Sequence, residues 1–337
     1  MDIFITGGYG AVGRIAVNKL LVDGWDVSVL VHPSERDLIA PRQTDRLKTV
    51  VADLDSLEKK DIPEEATVVH LAAKVHTVPK SSRDVDDFFH VNRDGSIRLA
   101  KIALKRNAKT FLFVSTAGVY GDAFFDGICT ENTLVRPNSP YAQSKFDAEC
   151  ELNSLCASKC RLIVFRPSVM FGPGDRGNFI RLFRTVKKGV VPCIDHGAAR
   201  KNILYANDFA NILALASKSP ELFADGVYNV AYREPYTLLE LIRGMERVTR
   251  RKVFKVPIHG LILKLPALLF DGIGALTGKE IGLSSRRLRV LRSDSVMDVT
   301  KLHDALASHY FCKSFEEGLS DYIISGNSPW SKEVCQS

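Results

Sequence analysis

The 337-residue sequence predicts an α/β fold: a Rossmann-type doubly wound parallel sheet, followed by a smaller mixed α/β half. Three observations predict it. Short apolar runs alternate with helical stretches as far as Phe165, the pattern of a parallel sheet covered on both faces. A glycine-rich turn separates the first run from the first helix. Tyr141 and Lys145 stand four residues apart on a predicted helix, so both project from one face.

The elements follow in order. Ile3–Thr6 is a short apolar strand, and a helix through Leu21 follows the glycine turn. Trp25–Val31, Leu47–Val51, Thr67–Leu71 and Thr110–Ser115 read as further strands, with one long helix over Asp86–Arg106. A second long helix, Tyr141–Ser158, has Ser139 as its cap and Pro140 at its first position, and leads to the strand Arg161–Phe165. After Pro167 the elements shorten: Phe179–Lys188, Val190–Ile194, Asp208–Ser217 and Val227–Val230. Thr237 with Glu240, and Ser314 with Glu317, form capping boxes for two later helices. The expected organisation is a dinucleotide-binding domain over 1–167, a partly interleaved substrate-binding subdomain over 168–325, and a frayed tail over 326–337.

The turn Gly7-Gly8-Tyr9-Gly10-Ala11-Val12-Gly13 lets the backbone approach a pyrophosphate, which the N–H groups and positive end of the following helix would hold. The end of the second strand should choose between cofactors, because an acid there bonds a ribose 2′-hydroxyl and repels a 2′-phosphate. Here it reads Val31-His32-Pro33-Ser34-Glu35-Arg36, with no acid at the strand end. Ser34, Arg36 and His32 suit a phosphate, so NADP(H) is favoured and NAD(H) is the alternative. Asp53, just past the third strand, is placed to take the adenine amino group.

Lys145 should lower the pKa of Tyr141 from its free value of about 10 towards the working range of a general acid/base. The first-turn position of Tyr141, at the positive helix end, acts in the same direction.

Composition narrows the partners. Net charge is +7, which suits an anionic small ligand, and no Lys/Arg block with interleaved aromatics argues for nucleic acid. Seven cysteines form no C-x-x-C pair, and although Cys156 and Cys160 share a helix face nothing completes a metal site, so reduced thiols in a cytoplasmic protein are expected. The first strand begins at Asp2, so no secretory leader is expected. The most apolar stretch, Val256–Thr277, is interrupted by His259, Lys264, Pro266 and Asp271 and fails as a membrane span. It suits an amphipathic helix over the substrate pocket or, less favoured, on a membrane surface.

Several motifs, spread from Thr6 to about Leu319, together resemble the extended short-chain dehydrogenase/reductase family, in particular its nucleotide-sugar epimerases and reductases. They are Thr6-Gly7-Gly8-x-Gly10-x-x-Gly13, Asp53-Leu54, His70-Leu71-Ala72-Ala73, Asn92, Val114-Ser115-Thr116, Tyr141-x-x-x-Lys145 and Arg166-Pro167-x-x-x-Phe171-Gly172-Pro173-Gly174. The resemblance implies that Thr116, with Ser115 beside it, orients the substrate oxygen, that Tyr141 transfers a proton, and that Lys145 binds the nicotinamide ribose. It implies that Leu54, Leu71, Ala72 and Ala73 line the cofactor groove and that Pro167 to Val169 abut the nicotinamide. It places Asn178, Arg200 and Lys201 on a nucleotide diphosphate, with Arg289 or Arg292 as a second cation, and implies a homodimer through the helices starting near Asp86 and Tyr141. Relatives usually carry arginine at the Lys201 position, and lysine loses the bidentate fork.

The leading expectation is NADPH-dependent reduction of a 4-keto sugar nucleotide. A C4 epimerase with tightly held NAD would use the same residues. A third reading, by resemblance of Val256–Thr277 to the pocket-covering helices of sterol and lipid 3-oxo reductases, leaves Arg200 and Lys201 idle. An intact Thr116, Tyr141 and Lys145 set argues against a non-catalytic sensor.

Overall fold

The computed structural model describes residues 2–38, 45–75, 79, 81–175, 177–277, 283–307, 309–310 and 312–325; the predicted tail lies outside them. Strands β1 (Asp2–Thr6), β2 (Asp26–Val31), β3 (Leu47–Val51), β4 (Thr67–His70), β5 (Thr110–Val114) and β6 (Arg161–Pro167) build a parallel sheet in the order β6-β5-β4-β1-β2-β3. The order reverses beside β1, and in such sheets ligands bind outside the carboxyl ends of the strands at that switch point.

Alternation along each strand sorts side chains between two cores. Ile3, Ile5, Val29, Leu112 and Phe165 face one layer, while Phe4, Leu30, Val68, Phe113 and Val164 face the other. Helix α1 (Ala11–Val22) lies on the first side. The second is covered by α3 (Gly95–Leu104) and α4 (Pro140–Cys156), which follow α2 (Ser82–Phe89) in the chain. The single helix predicted over Asp86–Arg106 is in fact two: α2 starts earlier on a Ser81–Asp84 capping box, and a π-helical turn at His90–Asp94 separates it from α3. That turn presents Asn92, whose Oδ1 accepts from the Lys74 backbone N–H at 2.8 Å and whose Nδ2 donates to the Lys74 carbonyl at 3.1 Å and to Ser144 Oγ at 3.1 Å. π-bulges commonly mark functional sites, and this one ties the loop after β4 to α4.

The remaining elements are β7 (Val169–Phe171), α5 (Asn178–Lys187), β8 (Val190–Ile194), β9 (Arg200–Lys201), β10 (Ile203–Tyr205), α6 (Ala206–Lys218), β11 (Gly226–Val230), β12 (Tyr236–Thr237), α7 (Leu238–Thr249), β13 (Phe254–Ile258), α8 (Lys264–Thr277), α9 (Ser285–Arg292), α10 (Thr300–Leu306) and α11 (Phe315–Ile324). Two of them return to the central sheet. β11 pairs with β6 as its seventh strand, and α6 packs on the same face as α1. The others form two-stranded pairs, β7 with β10, β8 with β13 and β9 with β12. Phe171, Phe179, Tyr205 and Phe315 stack into one aromatic cluster that fixes β7, α5, β10 and α11 to each other. Among the described residues no helix is long and apolar enough to cross a membrane.

Candidate active site

The groove at the carboxyl end of β1 is shaped by backbone. Gly7 has φ +69°, and a Cβ there would lie 2.7 Å from the Ala72 nitrogen. A Cβ on Gly13 would lie 2.1 Å from the Gly7 carbonyl oxygen, so the helix can sit this close to the loop only without one. Gly10 caps α1 with no side-chain bond, which leaves the first-turn N–H groups of Ala11, Val12 and Gly13 for a ligand. The opposite lip is Gly174, where a Cβ would meet Ala11 Cβ at 2.6 Å.

The floor is pinned from below. Thr6 Oγ1 bonds His70 Nδ1 at 2.6 Å and accepts from the Ala72 N–H at 3.1 Å, and His70 Nε2 bonds Ser96 Oγ at 2.8 Å. Full burial pushes His70 down to about 3, so it is a neutral strut. Leu71, Ala72 and Ala73 are partly exposed at the ends of these bonds, and Leu54 packs against Gly95.

At the end of β2, His32 Nδ1 accepts from the Ser34 N–H at 3.2 Å and bonds Ser34 Oγ at 2.7 Å, so Nε2 carries the proton. Both residues are exposed, the Asp53 carboxylate lies within electrostatic reach of His32, and the Arg36 side chain lies outside the described residues. Asp53 uses Oδ1 to hold its own turn, accepting from the Ser56 N–H at 2.7 Å, Ser56 Oγ at 2.6 Å and the Asp55 N–H at 3.1 Å. Only its second oxygen remains for a ligand.

Helix α4 forms as its capping residues dictate. Ser139 Oγ accepts from the Ala142 N–H at 3.2 Å, and Pro140 opens the first turn. Tyr141 follows, partly exposed, with Phe88 edge-on at 6.3 Å and the Thr116 side chain near enough to its hydroxyl to act on its pKa. Its pKa corrects the sequence expectation. Burial pushes the phenol up to about 12, and Thr116 only partly opposes this. Lys145 is not among the groups that shift it; it is buried at 1% exposure with Nζ 4.0 Å from the centre of the Phe113 ring. Burial drives Lys145 down to about 7, against the opposing charge of Glu149. Both residues sit on α4, and the apolar depth decides the sign of each shift.

Ser115 is also corrected. Its hydroxyl donates to Glu149 Oε1, beneath the groove, so Thr116 is the hydroxyl available to a substrate oxygen. Glu149 in turn binds Arg166, with Nη2 to Oε2 at 2.5 Å and both side chains 5% exposed.

The substrate-side cations do not converge as expected. Lys201 spends its three donors on the Val290 carbonyl (2.8 Å), the Ser293 carbonyl (2.6 Å) and Ser295 Oγ (3.0 Å), and burial lowers it to about 8. It therefore staples β9 to the end of α9 rather than facing a diphosphate. Arg200 is paired with Asp294 at 2.8 Å and Arg292 with Asp195 at 2.5 Å. Arg289 instead stacks over Phe125 at 3.9 Å. It lines a cleft of about 450 Å³ with Lys264, Leu268, Leu288 and Arg292. The Asn178 side chain lies outside the described residues.

Comparison with known proteins resolves the family. The profile of the NAD dependent epimerase/dehydratase family matches residues 3–231. The chain belongs to this family. It is 27% identical to the UDP-glucose 4-epimerase of Vibrio cholerae over 287 residues, covering 82% of this chain and 85% of that protein. It is 25% identical to the N-acetyl-alpha-D-glucosaminyl-diphospho-ditrans,octacis-undecaprenol 4-epimerase of Escherichia coli O157:H7 over 242 residues, 71% of each. The UDP-glucuronic acid 4-epimerase of Bacillus cereus, solved in complex with NAD, shares the fold with a TM-score of 0.71 and 19% identity over 96% of this chain and 99% of that one.

As an NAD-dependent epimerase/dehydratase enzyme, the chain needs a dinucleotide seat, and its residues fit one: the cradle at Gly7 and Gly13 admits no Cβ, and the buried Ser168 hydroxyl, between Pro167 and Val169, has no partner among the described residues. Pro167 is buried and Val169 is 45% exposed. Sequence reading passed over Ser168, Glu149 and Lys264. The first had a signal, since it lies inside the Pro167–Val169 motif; the others depend on tertiary packing. Gly13→Ala should reduce dinucleotide affinity by about 30-fold or more, roughly 2 kcal/mol, in calorimetric titration while leaving the circular dichroism spectrum intact.

Lys145 yields a pH prediction for the cofactor-free protein. Its proton is held up to about 10.5 when unfolded and lost near 7 when folded, so the unfolded state binds more protons between those values and stability rises with pH across them. Lys145→Met removes the buried ammonium. Its gain should be largest below pH 7, up to about 5 kcal/mol, and fade towards pH 10.5; denaturant melts at several pH values check it.

Proposed function

We propose that this enzyme reduces the 4-keto group of a sugar carried on a nucleoside diphosphate, with NADPH as reductant. The observation that supports it best is the end of β2, where His32 and Ser34 follow the strand in place of an acid, beside a glycine cradle that admits no Cβ. Thr116 lies beside the Tyr141 hydroxyl and would position the substrate oxygen there. Lys145 would meet the nicotinamide ribose from below. The N–H groups of Ala11, Val12 and Gly13 would hold the pyrophosphate, with His32 and Ser34 at a 2′-phosphate and the second oxygen of Asp53 at the adenine amine. When bound, the nicotinamide supplies the hydride for the sugar carbon. Tyr141 gives its proton to the oxygen, so one hydride and one proton convert ketone to alcohol.

On the substrate side, Arg289 and Lys264 replace Lys201 as the proposed diphosphate contacts, with Asn178 and Arg200 retained at the rim. The same reading includes a homodimer paired through α2 and α4. Purified enzyme should oxidise NADPH when given 4-keto sugar nucleotides and not otherwise; no consumption with any of them would sink the reading.

The second reading is C4 epimerisation with NAD retained, favoured by the names of both epimerase relatives. NAD that copurifies, with interconversion of C4 epimers and no net cofactor turnover, would select it over reduction.

A further inference from the structure

Helix α8 and the turn before it carry an outward apolar face. Leu261, Ile262, Leu265, Leu268 and Leu269 are 53%, 70%, 73%, 60% and 70% exposed, while Ala267 on the other side is fully buried. Their spacing of three and four residues places them along one stripe. A contiguous row of exposed leucines is not a normal solvated surface. The neighbouring α9 is basic. Between Gly260 and Ser293 the described cations are Lys264, Arg286, Arg287, Arg289 and Arg292; the acids beside them are Asp271, whose carboxylate accepts from the Ser285 N–H at 3.1 Å, Asp122 against Arg286 and Asp195 against Arg292, which leaves the patch positive.

The patch adjoins the active site. Arg286 Nη1 reaches the Asn138 carbonyl at 3.4 Å and Nη2 reaches Asp122 at 3.4 Å. Arg289 lies over Phe125. Asn138 directly precedes the cap of the helix bearing Tyr141, and the segment 122–126 follows the turn bearing Thr116.

We propose that α8 and α9 form a docking surface for an anionic lipid bilayer, with the leucine face of α8 lying in the interface and the cations of α9 among the headgroups. Apolar burial and attraction of cations to anionic lipid act together in such a surface. Charge selects this occupant over a second copy of the chain: a two-fold contact would set this basic patch against itself. The helix lies on the membrane and does not cross it. Docking brings the site entrance to the headgroup layer, where a sugar diphosphate on a lipid carrier would be presented. The surface itself is independent of which C4 reaction the enzyme performs, so the test does not require turnover.

Full-length protein is floated with vesicles of phosphatidylcholine alone or of phosphatidylcholine with phosphatidylglycerol. Wild type should float with the anionic vesicles, and its partition should fall at least about tenfold at high salt and at least about tenfold in the Leu265→Asp/Leu269→Asp variant. That variant should keep the wild-type dinucleotide affinity, which shows that it folds. If it does not, Ile262→Asp, in the turn ahead of the helix, carries the same expectation. Failure of wild type to float, equal flotation on both vesicle types, or undiminished flotation of a folded variant overturns the proposal. So does a wild-type dimer that the variant splits while neither binds vesicles, which would make the face a self-association surface.

Discussion

Tyr141→Phe should lower kcat by about 10²- to 10⁴-fold while leaving dinucleotide affinity nearly unchanged. The substitution removes one oxygen and keeps the ring, so the edge contact with Phe88 at 6.3 Å and the packing of α4 survive. What is lost is the group whose proton balances the hydride. The Thr116 hydroxyl, which accepts from the Gly118 N–H at 3.1 Å, is a poor substitute as an acid. Steady-state rates together with a calorimetric titration of cofactor separate this loss from a binding defect. Equal loss of rate and of cofactor affinity would mean that Tyr141 supports the groove rather than the chemistry.

Glu149→Ala should destabilise the fold by about 3–5 kcal/mol, read as a shift in the denaturation midpoint. The carboxylate is 5% exposed and accepts from Arg166 Nε at 3.2 Å, Arg166 Nη2 at 2.5 Å and Ser115 Oγ. Its removal leaves a buried guanidinium whose other bond, to the Tyr120 hydroxyl at 3.0 Å, provides no negative charge. It also removes the charge that holds Lys145 partly up against burial, so the lysine should become neutral at still lower pH. Arg166→Met in the same background should recover part of the stability, because the uncompensated cation goes with it.

Much of this architecture was written locally. The strands carry continuous apolar runs, and Ser139, Thr237 and Ser314 start helices through bonds made within one turn, with Pro140 setting the first helical φ after Ser139. The glycine loop was readable in part for the same reason: Gly13 approaches Gly7 within the loop itself, although Gly7 also meets Ala72 and Gly8 meets Val29 of β2. The rest required long-range packing. β11 joins the central sheet from the far half of the chain, and nothing in Gly226–Val230 announces its partner β6. Lys201 reads as a free cation until α9 folds back and three oxygens take its donors. Tyr141 and Lys145 do lie on one helix, but helical spacing says nothing of depth. The Phe113 ring that receives the lysine comes from β5, and the resulting dryness reverses the expected pKa shift.

The claim on which the mechanism depends is that Tyr141 holds its proton through the neutral range. Ultraviolet difference titration of wild-type protein against Tyr141→Phe, following tyrosinate absorbance, measures this. The account predicts that the signal unique to Tyr141 appears only close to pH 12. A tyrosinate unique to wild type and forming between pH 6 and 8 would contradict it, and would return the phenol to the role of a base activated by Lys145.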